Sequence, residues 1–142
     1  MAFGPLSKRY YNQLMNIAIV ISTYNRVDDA KINMEIIRAI WGKSNLFGNI
    51  KIIHSYNGKK EWYPKKYLED SLTVIENKGH FHGAADLLDK GFAEIAERKW
   101  DIDFVIFLAA DTWITRPDFI LKLIKEMKRK NLYLATNTWD AL

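Results

Sequence analysis

Short, mainly apolar runs recur along the chain with amphipathic segments between them, and this alternation restricts the fold more than any other feature. The runs are Ile17–Ile21, Ile50–His54, Leu72–Ile75 and Phe104–Ala110. Ile17–Ile21, β-branched and continuous, suits a strand buried on both faces, as parallel strands under helices are, and the others read as further short strands. After the first run, Ile32, Ile36, Ile37 and Ile40 recur at helical spacing, with Asp28 or Asp29 as the expected cap and Gly42 as the stop. A second helix is expected around Leu87, Leu88, Gly91, Phe92, Ile95 and Ala96. A third repeats the same offsets in Phe119, Ile120, Leu123, Ile124 and Met127, behind Thr115-Arg116-Pro117-Asp118, a capping-box pattern with proline in the first turn. Leu132–Thr136 reads as a fifth strand. Strands alternating with helices imply right-handed crossovers, so the expected fold class is α/β: a single-domain three-layer αβα sandwich around a mostly parallel, Rossmann-like sheet.

A chain of 142 residues has the length of one domain. Residues 1–15 show no clear period and read as an N-terminal arm or extension, with Met15 an alternative start, and residues 16–142 as the domain. Without cysteine, thiol nucleophiles, Cys-based zinc sites and iron–sulfur clusters are excluded. The apolar runs fall far short of the roughly 20 residues that span a bilayer, and no apolar signal segment opens the chain, so a soluble, cytoplasmic protein is expected. Twenty-one Lys and Arg against 17 Asp and Glu give a net charge of +4, which suits an anionic ligand as well as a nucleic acid. Basic and aromatic residues interleave at Lys59-Lys60, Trp62-Tyr63, Lys65-Lys66-Tyr67 and the Lys122/Lys125/Lys128–Lys130 face, but lysines on the polar face of an amphipathic helix are ordinary solvated surface, and loop aromatics can simply cover the sheet edge. No nucleic-acid partner is expected, and membrane contact is at most peripheral, through the basic last helix.

In an open α/β sheet ligands bind beyond the carboxyl ends of the strands, where the strand order reverses. The residues there are Ser22-Thr23-Tyr24-Asn25-Arg26, His54-Ser55-Tyr56-Asn57-Gly58, Asn77-Lys78-Gly79-His80 and Asp111-Thr112-Trp113. Asp111 ends the most apolar run, so it places a carboxylate at the rim of a central strand. Such a position suits a ligand to a hard divalent cation, which needs only one or two protein carboxylates beside substrate phosphates. The structural alternative is a turn cap, or a pair with Arg26 or Arg116. Neither G-x-G-x-x-G nor G-x-x-x-x-G-K-[ST] is present, which removes most support for dinucleotide oxidoreductases and P-loop NTPases. His54, His80 and His82 make no H-E-x-x-H zinc signature; His80 or His82 beside a diphosphate stands against a loop histidine without a ligand role.

Taken together in order and spacing, "IAIVISTYNR", "IIHSYNG", "NKGHFHGAADLL" and "DFVIFLAADTWITRPDFILKLI" resemble the nucleotide-binding half of family 2-type glycosyltransferases with the GT-A fold, from Asn16 to Trp139. The resemblance implies a nucleotide-sugar pocket, UDP- or GDP-linked, with Thr23, Tyr24, Asn25 and Arg26 in its first block. It places Asn77 and Gly79 beside the nucleoside. Tyr56 stands where the family often has an Asp that reads the uracil edge, which suggests stacking in place of hydrogen bonding. Leu108-Ala109-Ala110-Asp111 matches the family's Leu-Asp-x-Asp run, whose last Asp holds Mn²⁺ or Mg²⁺; Asp111 keeps that carboxylate and Ala109 replaces the earlier one. The implied reaction is transfer of a sugar to an acceptor hydroxyl. No residue matches the family's catalytic base, and the alternative is a catalytically silent, truncated module assembling as a homo-oligomer or with a partner chain.

Overall fold

The structure is a computed structural model that describes residues 14–136, with all of their side chains except those of His80 and Phe81. The expected arm over residues 1–15 lies outside it apart from Leu14 and Met15. In chain order come β1 (Ile17–Thr23), α1 (Val27–Ile36), a π-helical turn (Ile37–Trp41), β2 (Ile50–Tyr56), a 3-10 turn (Lys60–Trp62), β3 (Ser71–Val74), α2 (His80–Arg98), β4 (Phe104–Ala109) and α3 (Pro117–Lys130). The four strands pair entirely in parallel in the order β3-β2-β1-β4. The fold is therefore α/β, a three-layer Rossmann-like sandwich.

β1 holds a central place because its apolar run is wholly buried from Ile17 to Ile21. Successive side chains leave a strand on opposite faces. Ile17, Ile19 and Ile21 join Ala30, Met34 and Ile37 of α1 and its π turn and Ile120 and Ile124 of α3, whereas Ala18 and Val20 meet Ile95 of α2. Polar residues carry β1 beyond the apolar run, Ser22 pairing with Ser55 and Thr23 with Tyr56 in the β2 register. The buried stripe of α1 is centred on Ala30, Asn33, Met34, Ile37 and Trp41, so Ile32 and Ile40, expected inside, lie exposed on its shoulder.

Three expectations are corrected. Leu132–Thr136 is not a strand: Asn131 takes a left-handed conformation (φ 54°) that ends α3, and Leu132, Tyr133 and Leu134 emerge exposed without a ladder partner. Thr115 does not cap α3; Arg116 holds the cap position, Pro117 follows, and Asp118 turns sideways to Arg116 (2.9 Å) and Lys122 (3.4 Å). Asp28 and Asp29 stand in the first turn of α1 instead of capping it, where a negative charge favours the helix dipole.

No helix covers the link from β2 to β3. Residues 57–70 cross there as irregular chain, tied down through Asp70, which accepts the Ile52 N–H (2.7 Å) and Arg38 (2.8 Å) with Lys51 at 3.7 Å. Burial alone would raise the Asp70 carboxyl; these three partners hold it below the usual range. Arg38 also donates to the carbonyls of Leu68 (2.8 Å) and Ile50 (3.2 Å). Beneath this cover His54 is fully buried edge-on to Tyr63 (4.5 Å) and 5.7 Å from Tyr56, and burial lowers its pKa to about 4.

Candidate functional site

The chain runs from β1 outward to β2 and β3, then returns to place β4 on the other side of β1. The topological switch point therefore falls between β1 and β4, and it is beyond the carboxyl ends of such strands that open α/β sheets bind ligands. Arg26 leaves the β1 loop and Asp111 the β4 loop, and they meet with Nη1 3.2 Å from the carboxylate Oδ2. The same guanidinium nitrogen reaches Asp29 at 3.4 Å. Of the expected metal ligand and its structural alternatives, the pairing with Arg26 is thus present. Both side chains remain open to solvent, at 61% and 46% exposure, so the pair itself contributes little to stability.

The β4 loop is held in place from α1. Asn33, wholly buried, donates from Nδ2 to the carbonyls of Thr112 (2.9 Å) and Ala110 (3.4 Å). Trp41 donates from Nε1 to the Ile114 carbonyl (2.7 Å), and Trp113 donates back to the Asp29 carbonyl (3.3 Å). Asp111 is consequently carried on a loop gripped on both sides by side chains rooted in the core. Asn33 was not among the residues expected at the site. A polar residue three positions after Ala30 and four before Ile37, on the inward stripe of a helix, is the signal that marks it.

The remaining strand ends nest closely. The Asn57 N–H donates to the Thr23 carbonyl (3.1 Å), and Ile75 donates to that of Tyr56 (2.9 Å). Gly58 is needed where it stands, because a Cβ there would lie 2.0 Å from the Tyr24 carbonyl oxygen. Asn77 accepts the Gly79 N–H (2.8 Å), forming an Asx turn that, with Gly79 at φ 95°, feeds α2. Thr23 Oγ1 and Asn57 Oδ1 are buried without a hydrogen-bond partner among the described residues.

Tyr24, Asn25, Arg26, Asn77 and Gly79 are exposed at these strand ends. Thr23 is buried beneath them, and Tyr56 is placed differently from expectation. Its ring is wholly covered and its hydroxyl donates to the Lys59 carbonyl (2.6 Å), so it has no free face for stacking. Burial, with Glu61 nearby, raises its phenol above the usual range. The exposed aromatic surface comes instead from Tyr24 and Trp62, in edge contact at 5.8 Å, with Lys59 over the Trp62 ring at 5.2 Å. His82 is exposed, and the His80 side chain lies outside what the structure describes.

The carboxylates available here are Asp111 and Asp29, and among the described residues no three His, Asp or Glu side chains converge on one point. An oxygen-only pair suits Mg²⁺ or Mn²⁺ held jointly with a ligand's phosphates better than a protein-only cage. No known family model, curated protein or solved structure matches the chain.

Proposed function

We propose that the switch point between β1 and β4 binds a nucleoside-diphosphate sugar with a divalent cation, as the donor-binding part of a glycosyltransferase-like protein that passes the sugar to an acceptor hydroxyl. One observation carries this reading: Arg26 and Asp111, from the two strands flanking the switch point, meet at 3.2 Å. A diphosphate is a better partner for the exposed guanidinium than a single carboxylate oxygen, since it offers paired acceptors in fork geometry. Drawing Arg26 onto the ligand frees Asp111, with Asp29 beside it, for the cation. Asp111 and Asp29 would hold the cation, which would supply neutralisation of the charge on a departing diphosphate. Tyr24 and Trp62 offer a face to the base.

Calorimetry with UDP and GDP, with and without Mn²⁺, tests the proposal. Binding that strengthens with Mn²⁺ in the wild type and loses that metal dependence in Asp111→Asn is the expected outcome. Metal-independent binding, or an Asp111→Asn variant that behaves as wild type, overturns it.

A second reading, a silent module that assembles with another chain, is favoured by β4, whose outer edge is unpaired among the described residues. Phe92 lies next to that strand, packed on Phe107 at 4.7 Å yet 50% exposed. Light scattering separates the two readings: a monomer that binds nucleotide supports the first, and an oligomer without nucleotide affinity the second.

A further inference from the structure

α3 carries two adjacent apolar rows, and the sheet covers only one. Ile120 and Ile124 are buried, whereas Phe119 and Leu123, one helical turn apart, remain 58% and 37% exposed. Phe119 and Leu123 lie about 6 Å apart along the helix axis. The exposed row starts at a hollow lined by Trp113, Arg116 and Lys122, and beyond the helix end Leu132 and Leu134 are also exposed.

The charge beside this row is one-sided. Between Arg116 and Lys130 stand six basic and two acidic residues, an excess equal to the +4 of the whole chain, so the rest of the sequence is neutral on balance. Each acid is already shared by two bases. Asp118 pairs with Arg116 and Lys122, and Glu126 with Arg129 and Lys130. α2 also exposes an apolar row, Leu88 and Phe92, but there acidic residues outnumber basic ones. Among the described helices, only α3 therefore joins an uncovered apolar row to uncompensated positive charge.

We infer that α3 is a membrane-surface docking element, laying Phe119, Leu123 and Leu132 into the headgroup boundary of an anionic lipid bilayer while its lysines meet the lipid phosphates. Aliphatic residues decide for lipid over a nucleic acid. Bases would stack on the rings of Trp113, Phe119 and Tyr133, but Leu123, Leu132 and Leu134 offer aliphatic surface that stacking leaves unused and acyl chains accept directly. The contact is interfacial: among the described residues no helix is long and apolar enough to cross a membrane. This inference does not rest on the switch-point reading.

Co-sedimentation of the full chain with phosphatidylcholine vesicles, with and without phosphatidylglycerol, tests it. Binding is expected only with phosphatidylglycerol and weakens as salt rises. Phe119→Ser combined with Leu123→Ser is expected to lower it about tenfold or more, and Lys122→Gln and Lys125→Gln about fivefold each. All four positions are exposed, and circular dichroism establishes that the variants stay folded. Equal binding to neutral vesicles, no loss in the double serine variant, preference for an oligonucleotide over the vesicles, or a dimer that the serine substitutions dissolve would each overturn the inference.

Discussion

On the face of the sheet covered by α1 and α3, thirteen buried residues form one cluster, whereas on the α2 face the buried cluster is Ala18, Val20 and Ile53. The difference lies in what fills the space over the strands. The first face is closed by large side chains, Trp41 stacked on Phe47 at 5.9 Å among them. The second is closed by close approach and polar ties. Gly91 lets α2 down onto Val20, and the buried Glu94 accepts hydrogen bonds from Ser71 of β3 and from Arg98 (2.6 Å), which hold its carboxyl below the usual range. The β4 half of the candidate site is anchored from the first face alone, through Asn33 and Trp41. The two faces should therefore respond unequally to damage, in stability and in ligand binding.

Trp41→Ala should show the largest effect. It opens a cavity beneath the π turn and removes the bond to Ile114, costing about 4 kcal/mol in urea unfolding. Nucleotide affinity should fall with it, because the loop that carries Asp111 loses an anchor. Retained affinity in a destabilised Trp41→Ala protein would show that the anchoring from this face is dispensable.

Next in size is a pH effect where the helices of the first face give way to the 59–70 crossing. His54 is held to a pKa of about 4 by burial, and both its ring nitrogens lack partners among the described residues. A histidine whose folded pKa lies below its unfolded value of 6.5 takes up its proton more readily when unfolded. Stability is thus full above pH 6.5 and falls as the pH drops toward 4, by about 3 kcal/mol in all. The lowered carboxyls of Asp70 and Glu94 add their losses at still lower pH. Thermal midpoints measured across this window should flatten in His54→Leu; an unchanged slope would assign the effect to another group.

A substitution on the second face should cost less. A Cβ at position 91 lies 2.4 Å from Val20 Cγ1, so Gly91→Ala forces α2 away from the sheet and costs about 2 kcal/mol, against the helix propensity it gains. Val20→Ala in the same background should recover part of that loss. Simple addition of the two effects would mean that the helix does not seat on Val20.

The contrast between the faces was only half legible in the sequence. The β-branched runs marked the strands, because burial on both sides leaves no other composition open to a central parallel strand. The helices were harder. The offsets of α2 and α3 group two apolar rows, and the sequence alone does not show that the sheet is wide enough for one; Leu87 and Ile124 go inside while Phe92 and Phe119 stay out. Leu132–Thr136 has strand composition, but a strand forms only in register with a sheet, which composition does not encode. At the site, Arg26 and Asp111 were legible from their places after strands. Asn33 and Trp41 were not, since they act through backbone carbonyls whose positions exist only once the chain is folded.

The smallest effect is expected at Phe92, and it bears on what the thin face is for. Phe92→Ser removes a half-exposed ring and its packing on Phe107, worth about 1 kcal/mol for such an aromatic pair. Ile120→Ser, at a buried position on the opposite face, should cost several-fold more, because it places a hydroxyl in a dry cluster as well as removing apolar volume. If Phe92→Ser leaves light scattering unchanged, the thin face is a finished surface that tolerates an exposed ring. If the wild type is an oligomer and Phe92→Ser a folded monomer, the thinness has a different cause: that face is completed by another chain, and its sparse buried cluster is one side of an interface.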